Sequence, residues 1–234
     1  MLSIVIPTYN ERLGIEEIIS RIFGVLNASG IEGELIIVDD DSPDKTWEFC
    51  ESLKSKYPLS VIRRVGVRGL SSAVIEGWKQ AKGDILGVMD ADGSHDPNIL
   101  PEMVRSIQDG DCQLAIGSRH VPGGGTKDWP WFRKLTSRVA ITFACPITKI
   151  RDATSGYCIF KKEVIEGVEL DPVGWKIVLE VAVKGNYNKY KEFPFIFNDR
   201  TKGESKLGKK AIINYLEHLY KLWKWMKKNG RRRV

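Results

Sequence analysis

In the first half of the chain, short apolar runs alternate with longer stretches in which apolar residues recur every three or four positions. Runs of that length between polar clusters predict strands, and the longer recurrence predicts helices buried on one face. Strands are expected at Leu2 to Pro7, Glu34 to Asp39, Ser60 to Arg64, Asp84 to Met89 and Gln113 to Gly117. Helices are expected at Arg12 to Asn27, Asp44 to Tyr57, Leu70 to Lys82 and Pro97 to Asp109. Such alternation predicts an α/β fold, a Rossmann-like, mostly parallel sheet flanked by helices. Ile15, Ile18, Ile19, Ile22, Phe23 and Leu26 recur at helical spacing and read as core. Asp44, after Ser42 and Pro43, reads as a helix N-cap.

Beyond about residue 120 the alternation gives way to Gly123-Gly124-Gly125, an aromatic patch of Trp129, Trp131 and Phe132, and a stretch of unclear period. The glycines read as a loop that holds no cofactor. The last clear element runs from Lys209 to Lys228, with Ile212, Ile213, Leu216, Leu219, Tyr220, Trp223 and Met226 on one face and lysines elsewhere. It reads as a basic amphipathic helix. The chain is accordingly divided into a catalytic domain, 1–206, and a C-terminal helix and tail, 207–234.

Composition narrows the class. With 42% apolar and 28% charged residues, neither a disordered nor a collagen-like chain is expected. Cys50, Cys112, Cys145 and Cys158 lie far apart without a CxxC pair, so neither a disulfide framework nor a zinc site is indicated and a reducing cytosol is expected. Runs such as Ile85 to Met89 fall far short of the roughly 20 residues that span a bilayer. Met1 to Pro7 reads as a first strand and not as a signal peptide. The net charge of +6 is unevenly placed: residues 200–234 carry twelve Lys or Arg against two Glu, so the rest sums to −4. That basic block suits nucleic acid, an anionic membrane or a phosphorylated substrate, and composition alone does not choose.

Open α/β sheets bind ligands beyond the carboxyl ends of their strands. Polar clusters stand there: Pro7-Thr8-Tyr9-Asn10-Glu11 after the first strand, Asp39-Asp40-Asp41-Ser42 after the second, Asp90-Ala91-Asp92-Gly93 after the fourth. Two carboxylates at Asp90 and Asp92 suit Mg²⁺ or Mn²⁺, leaving positions for substrate phosphates. The bland reading is a solvated, capped turn. A calcium loop fits poorly, since glycine falls at the fourth position from Asp90 and not the sixth. An aspartyl phosphatase with Asp90 as nucleophile is a competitor. No G-x-G-x-x-G follows the first strand, so a nucleotide must be held by side chains, Tyr9 stacking and Asp39 to Asp41 accepting from base or ribose. Acidic contacts to a base favour uracil or guanine.

Val5 to Glu11, Ile37 to Asp44, Gly69-Leu70-Ser71-Ser72-Ala73, Met89 to Asp92, Ile116-Gly117-Ser118-Arg119 and Gly203-Glu204-Ser205-Lys206 come in order at compatible spacings. Together they closely resemble the dolichyl-phosphate mannose synthases of glycosyltransferase family 2, over nearly the whole chain. The resemblance implies a GT-A fold, a GDP-mannose donor, a divalent metal and a dolichyl or polyprenyl phosphate acceptor. It assigns Pro7, Tyr9, Glu11, Asp39, Asp41 and Ser71 to the nucleotide-sugar pocket, and Asp90 and Asp92 to metal and diphosphate. Ser94 would be the third metal ligand, where some relatives place Gln, and Gly93 stands where Leu is common.

An acceptor that is already a phosphate monoester attacks as an anion and needs cations more than a strong base. Candidates are Arg119, Arg133, Arg200, Lys202 and Lys206, with Ser137 one helical turn after Arg133. Each alone would read as a solvated surface charge. Direct in-line displacement with inversion is expected, without a covalent sugar intermediate. The acceptor's tail comes from a membrane, so the expected location is cytoplasmic, peripheral on the cytosolic face. Leu219, Tyr220, Trp223 and Trp225 would enter the interface and Lys and Arg meet its headgroups, unless the helix's apolar face is simply core. The expected partners are the donor, the lipid acceptor, a membrane surface and, where one is used, a small membrane-embedded helper subunit. Nucleic acid is not expected, because acids in the cleft would repel a phosphate backbone. The remaining alternatives are a UDP-glucose-dependent polyprenyl-phosphate glucosyltransferase, the phosphatase, and a nucleic-acid-binding module.

Overall fold

A computed structural model describes residues 1–127, 129–198 and 209–231. Its strands are β1 (Leu2–Thr8), β2 (Gly33–Asp39), β3 (Leu59–Arg63), β4 (Ile85–Val88), β5 (Leu114–Ser118), β6 (Gly125–Thr126), β7 (Cys158–Lys161), β8 (Tyr190–Pro194) and β9 (Ile196–Phe197). Its α-helices are α1 (Ile15–Ala28), α2 (Thr46–Ser52), α3 (Leu70–Gln80), α4 (Leu100–Gln108), α5 (Trp131–Ala144), α6 (Ile177–Lys184) and α7 (Lys209–Lys228).

Among the described residues one sheet runs in the order β3-β2-β1-β4-β7-β5-β8, and β6 pairs with β9. All pairings are parallel except those of β7, which runs against both β4 and β5. The mostly parallel α/β expectation holds, and the antiparallel strand belongs to the half whose periodicity was unreadable. The core lies on both faces of the sheet. On one face α1 buries Ile15, Ile18, Ile19, Ile22, Phe23 and Leu26, the six residues its spacing singles out. On the other, α3 and α6 cover Val5, Val38, Leu86 and Phe160.

Pro7 sits inside a central strand without breaking a ladder. Val5 accepts from Met89 on the β4 side, and Pro7, two residues on, faces that side after the β4 pairing has ended at Val88. One local expectation is corrected. Asp44 is not the N-cap: α2 begins at Thr46, Lys45 in the left-handed region occupies the cap position, and Asp44 Oδ1 accepts from Thr46 N at 3.0 Å.

Helix α7 is packed rather than detached. Leu219, Leu222 and Met226 join Leu179 and Val183 of α6 and Ala144 and Ile147 at the end of α5. Beneath them Glu180 accepts from Lys184 at 2.6 Å and meets His218 Nε2, all three side chains being buried. The single apolar face read from sequence therefore divides. Leu219 and Trp225 turn inward, while Ile212, Ile213, Leu216, Tyr220 and Trp223 remain exposed. No described helix is long and apolar enough to cross a membrane.

Candidate active site

The carboxyl ends of β1, β2 and β4 open onto one edge of the sheet, as their parallel registers require. There the loop after β1 is bonded to the loop after β2. Asn10 N donates to Ser42 Oγ at 3.0 Å, Glu11 N to Thr46 Oγ1 at 3.0 Å, and Arg12 N to Asp44 Oδ2 at 3.2 Å. The expected nucleoside residues Pro7, Tyr9, Glu11, Asp39 and Asp41 are thus assembled by side chains that serve as backbone caps.

Within this group the carboxylates differ in what they do. Asp39 is fully buried and accepts from Thr8 Oγ1 and Ser42 Oγ at 2.7 Å and from Ser42 N at 2.8 Å, which pins the turn. Asp40 is clamped by Arg64, whose Nε donates to Asp40 Oδ1 at 2.7 Å, while Gly69 N donates to Oδ2 at 2.7 Å. Asp41, at φ 55°, points outward and pairs with Arg63 at 2.6 Å. The Arg68 guanidinium lies 4.5 Å over the Tyr9 ring. Ser71 is buried at the start of α3 and donates to the Gly174 carbonyl at 2.8 Å, so its hydroxyl ties down a loop from the second half of the chain.

Asp90 and Asp92 follow β4 on a tight loop in which Gly93 has φ 73°. Ser94 N donates to Asp92 Oδ1 at 3.0 Å, and Ser94 Oγ, though buried, has no hydrogen-bond partner among the described residues. An orphaned buried hydroxyl beside two carboxylates fits an oxygen-coordinated divalent cation. Among the described residues no group of three or more His, Cys, Asp or Glu is placed to hold a metal ion, so such an ion would need substrate oxygens to complete its shell. His95, unremarked in the sequence, lies beneath this loop. Its Nδ1 accepts from Asp90 N at 3.1 Å, its Nε2 stands 3.7 Å from Asp90 Oδ2, and its ring stacks on Tyr157 at 5.0 Å. Burial pushes its pKa down, with Asp90 and Asp92 opposing, and a ring that accepts at Nδ1 carries its proton on Nε2, toward Asp90.

Arg119 follows β5 and is held by four bonds. Its Nε and Nη2 reach the two oxygens of Asp152 at 2.8 and 2.7 Å, its own N–H donates to Asp152 Oδ2 at 3.0 Å, and Nη2 also reaches Thr154 Oγ1 at 2.8 Å. Burial raises the Asp152 pKa, but the bonds from Arg119 outweigh it and hold the carboxyl down at about 2. A side chain at Gly124 would come within 2.5 Å of the Ser118 carbonyl, which explains a glycine where this loop packs against Arg119.

Arg133 lies over Trp129, its guanidinium carbon 4.0 Å from the ring centre, and Arg119 approaches Trp129 and Phe197 at 5.4 Å each. Ser137 Oγ stands 3.5 Å from His120 Nε2. Arg200, Lys202 and Lys206 lie outside the described residues. The structure therefore gathers Arg119, Arg133 and Trp129 into one cluster, and Phe197 joins that cluster to the acidic loop. The Phe197 ring is 5.3 Å from Trp129 and 6.0 Å from His95. Asp152 and Thr154 went unrecognised as site residues because their partner, Arg119, lies more than 30 positions away, and His95 and Trp129 because only the fold buries their rings against Tyr157 and Phe197.

The family model for Glycosyl transferase family 2 matches residues 3–168. A dolichol-phosphate mannosyltransferase of Pyrococcus furiosus is 51% identical over 96% of this chain, which spans 64% of that relative's length. One of Saccharomyces cerevisiae is 38% identical over 94% of this chain and 86% of its own. Among solved structures, a mannosyltransferase of Pyrobaculum calidifontis in complex with GDP-Man and Mn²⁺ superposes with a TM-score of 0.66 at 19% identity, over 99% of this chain and 65% of that one. A glucosyl-3-phosphoglycerate synthase of Mycobacterium tuberculosis, bound to Mn²⁺, UDP-glucose and glycerol 3-phosphate, has a TM-score of 0.64 at 17% identity, over 99% of this chain and 80% of that one. These two show the fold. With the family model matched over most of its length and close relatives along nearly all of it, the chain belongs to glycosyl transferase family 2, and within that family it is similar to the dolichol-phosphate mannosyltransferases.

Proposed function

We propose that the chain transfers mannose from GDP-mannose to a dolichyl or other polyprenyl phosphate, inverting the anomeric carbon. The names of its relatives support the reaction class. The observation that carries it is the single aromatic cluster, His95, Phe197 and Trp129, that joins an acidic loop suited to a diphosphate and its metal to arginines suited to a second phosphate. A phosphate acceptor explains why cations and not a carboxylate base occupy that side.

Asp90, Asp92 and Ser94 would hold Mg²⁺ or Mn²⁺, whose charge would offset that of the departing GDP. Tyr9, Glu11 and Asp41 line the nucleoside end, while Asp39 keeps their loop in shape and Ser71 anchors the loop at Gly174. Arg133, oriented by Trp129, and Arg119, oriented by Asp152, receive the acceptor phosphate. An acceptor oxygen forms the new bond to C1 of mannose as the bond from C1 to the GDP oxygen breaks. GDP leaves with that electron pair, and no proton need move, because a phosphate monoester is largely dianionic at neutral pH.

Helices α5 and α7 carry a surface suited to a membrane. Trp131, Phe132, Leu135, Val139 and Phe143 are exposed along α5, and Ile212, Ile213, Leu216, Tyr220 and Trp223 along α7. Tyr215 Oη joins the two helices by donating to the Ala140 carbonyl at 2.7 Å. Lys134, Arg138, Lys221 and Lys224 are exposed on the same two helices, the mixture that favours an anionic interface. We read the protein as peripheral on the cytosolic face, with 207–234 as part of that docking surface.

The test is an assay of radiolabelled GDP-mannose with a short polyprenyl phosphate, with and without Mn²⁺, and a parallel arm with UDP-glucose. Metal-dependent label in the lipid product from GDP-mannose supports the proposal. Label from UDP-glucose alone, or phosphate release without acceptor, overturns it.

A further inference from the structure

Lys176, the residue before α6, has no close ion-pair partner among the described residues, although Asp152 and Asp90 attract it from farther off. Its Nζ donates to the Thr154 carbonyl at 2.8 Å, and that is its only polar partner among the described residues. The same Thr154 receives Arg119 through its hydroxyl at 2.8 Å, so one residue seats the two cations side by side. Asp152, whose charge reaches Lys176, is already taken by Nε and Nη2 of Arg119. Asp90, the other carboxylate that reaches it, is assigned to the metal. Burial first, and the repulsion of Arg119 second, push the Lys176 pKa down to about 8, against the pull of Asp152 and Asp90.

The fold holds Lys176 there deliberately. The loop ahead of it turns at Gly174, where φ is 75°, and its carbonyl is fastened to Ser71 of α3. Upstream, Asp171 N is fastened to Glu180 at 3.0 Å. The ammonium is half-buried and has no close anionic partner among the described residues, so an arriving anion would be favoured beside it. It shares Thr154 with Arg119 and lies within electrostatic reach of Asp90, so it belongs to the same site as both.

We propose that Lys176 contacts the acceptor phosphate during transfer, meeting it beside Arg119 on the side that faces Asp90. The assignment rests on the function proposed above. It makes the acceptor phosphate's cradle three-sided, with Arg119 and Arg133 behind and Lys176 toward the sugar. It also gives the 172–176 loop a role: Ser71 and Glu180 fix the position of the ammonium.

The experiment compares the full chain with Lys176→Gln and Lys176→Arg, using GDP-mannose, Mn²⁺ and a water-soluble short-chain prenyl phosphate. For Lys176→Gln the acceptor KM is expected to rise about ten-fold while the donor KM stays within about two-fold, the loss of one charged hydrogen bond. Lys176→Arg should recover most of that loss, which a purely structural bond to Thr154 would not dictate. An unchanged acceptor KM, or a rise in the donor KM instead, overturns the proposal. Calorimetric titration of the prenyl phosphate alone separates this from the assigned reaction: if the wild type transfers no mannose, that reading fails. Weaker prenyl phosphate binding by Lys176→Gln then still supports the lysine contact, and equal binding refutes it.

Discussion

The indole of Trp129 supports Arg133 at 4.0 Å from its ring centre and is nearly buried, with its Nε1 without a partner among the described residues. A guanidinium stacked on a desolvated indole gains about 2 kcal/mol and loses rotamer freedom before any substrate arrives. Under the proposed function the ring would act through Arg133, as a positioning residue.

Replacing it should show this. Trp129→Leu is expected to raise the acceptor KM about ten-fold with little change for the donor. Initial-rate kinetics over both substrates would detect it, and a matched rise in both constants would count against the role.

Acid stability should report on Asp152. Its folded pKa of about 2 lies below the unfolded value, so its contribution is present above pH ~4 and is lost as pH falls toward 2. The depression corresponds to about 2 kcal/mol. Thermal unfolding followed from pH 5 to pH 2 should drop steeply for the wild type. Asp152→Asn should be less stable at neutral pH, because Arg119 loses its partner, and its midpoint should fall less over the same range.

Metal dependence should separate the acidic loop's members. Asp92→Ala is expected to abolish metal-dependent transfer with an unaltered melting temperature. Ser94→Ala, which removes a hydroxyl that has no other described partner, should raise the Mn²⁺ concentration needed for half-maximal rate while retaining turnover at saturation. A Ser94→Ala enzyme with wild-type metal titration would sink the ligand assignment.

Membrane docking is best tested by point substitution, since deleting α7 would strip Leu179 and Val183 of their cover. Changing Trp131, Phe132 and Trp223 to Ser should reduce co-sedimentation with anionic liposomes and leave transfer to a short soluble acceptor intact. Undiminished liposome binding would argue that the exposed aromatics serve something else.

Glu180 stitches α7 to the body of the protein. Burial raises its pKa, but His218 and Lys184 outweigh that and keep it below the usual carboxylate range. Glu180→Ala leaves the buried Lys184 ammonium uncompensated and His218 Nε2 without its partner, and should cost about 3–5 kcal/mol in urea unfolding. A loss within the range of a surface substitution would falsify this.

Much of the first half was legible because its information is local. A parallel sheet fully covered by helices demands apolar strands and one-sided helices, and α1 shows both without ambiguity. Acids after β1, β2 and β4 could be placed on one edge by topology alone. The second half resisted because β7 reverses direction between β4 and β5, and α6 is buried nearly all round, leaving no amphipathic period to count.

What the chain's order of residues determined by itself was the α/β class, the acidic edge and the family resemblance, all of which rest on spacing along the backbone. Tertiary structure alone decided which acids are available. Asp39 and Asp40 are consumed as internal acceptors, whereas Asp41 is turned outward, although the three are neighbours of one residue type. It likewise decided that Asp152 neutralises Arg119, that Trp129 carries Arg133, and that α7 has two apolar faces with different fates. The reason is physical: a charge's role depends on the partners and the solvent that folding leaves within a few ångströms, and those partners come from distant parts of the chain.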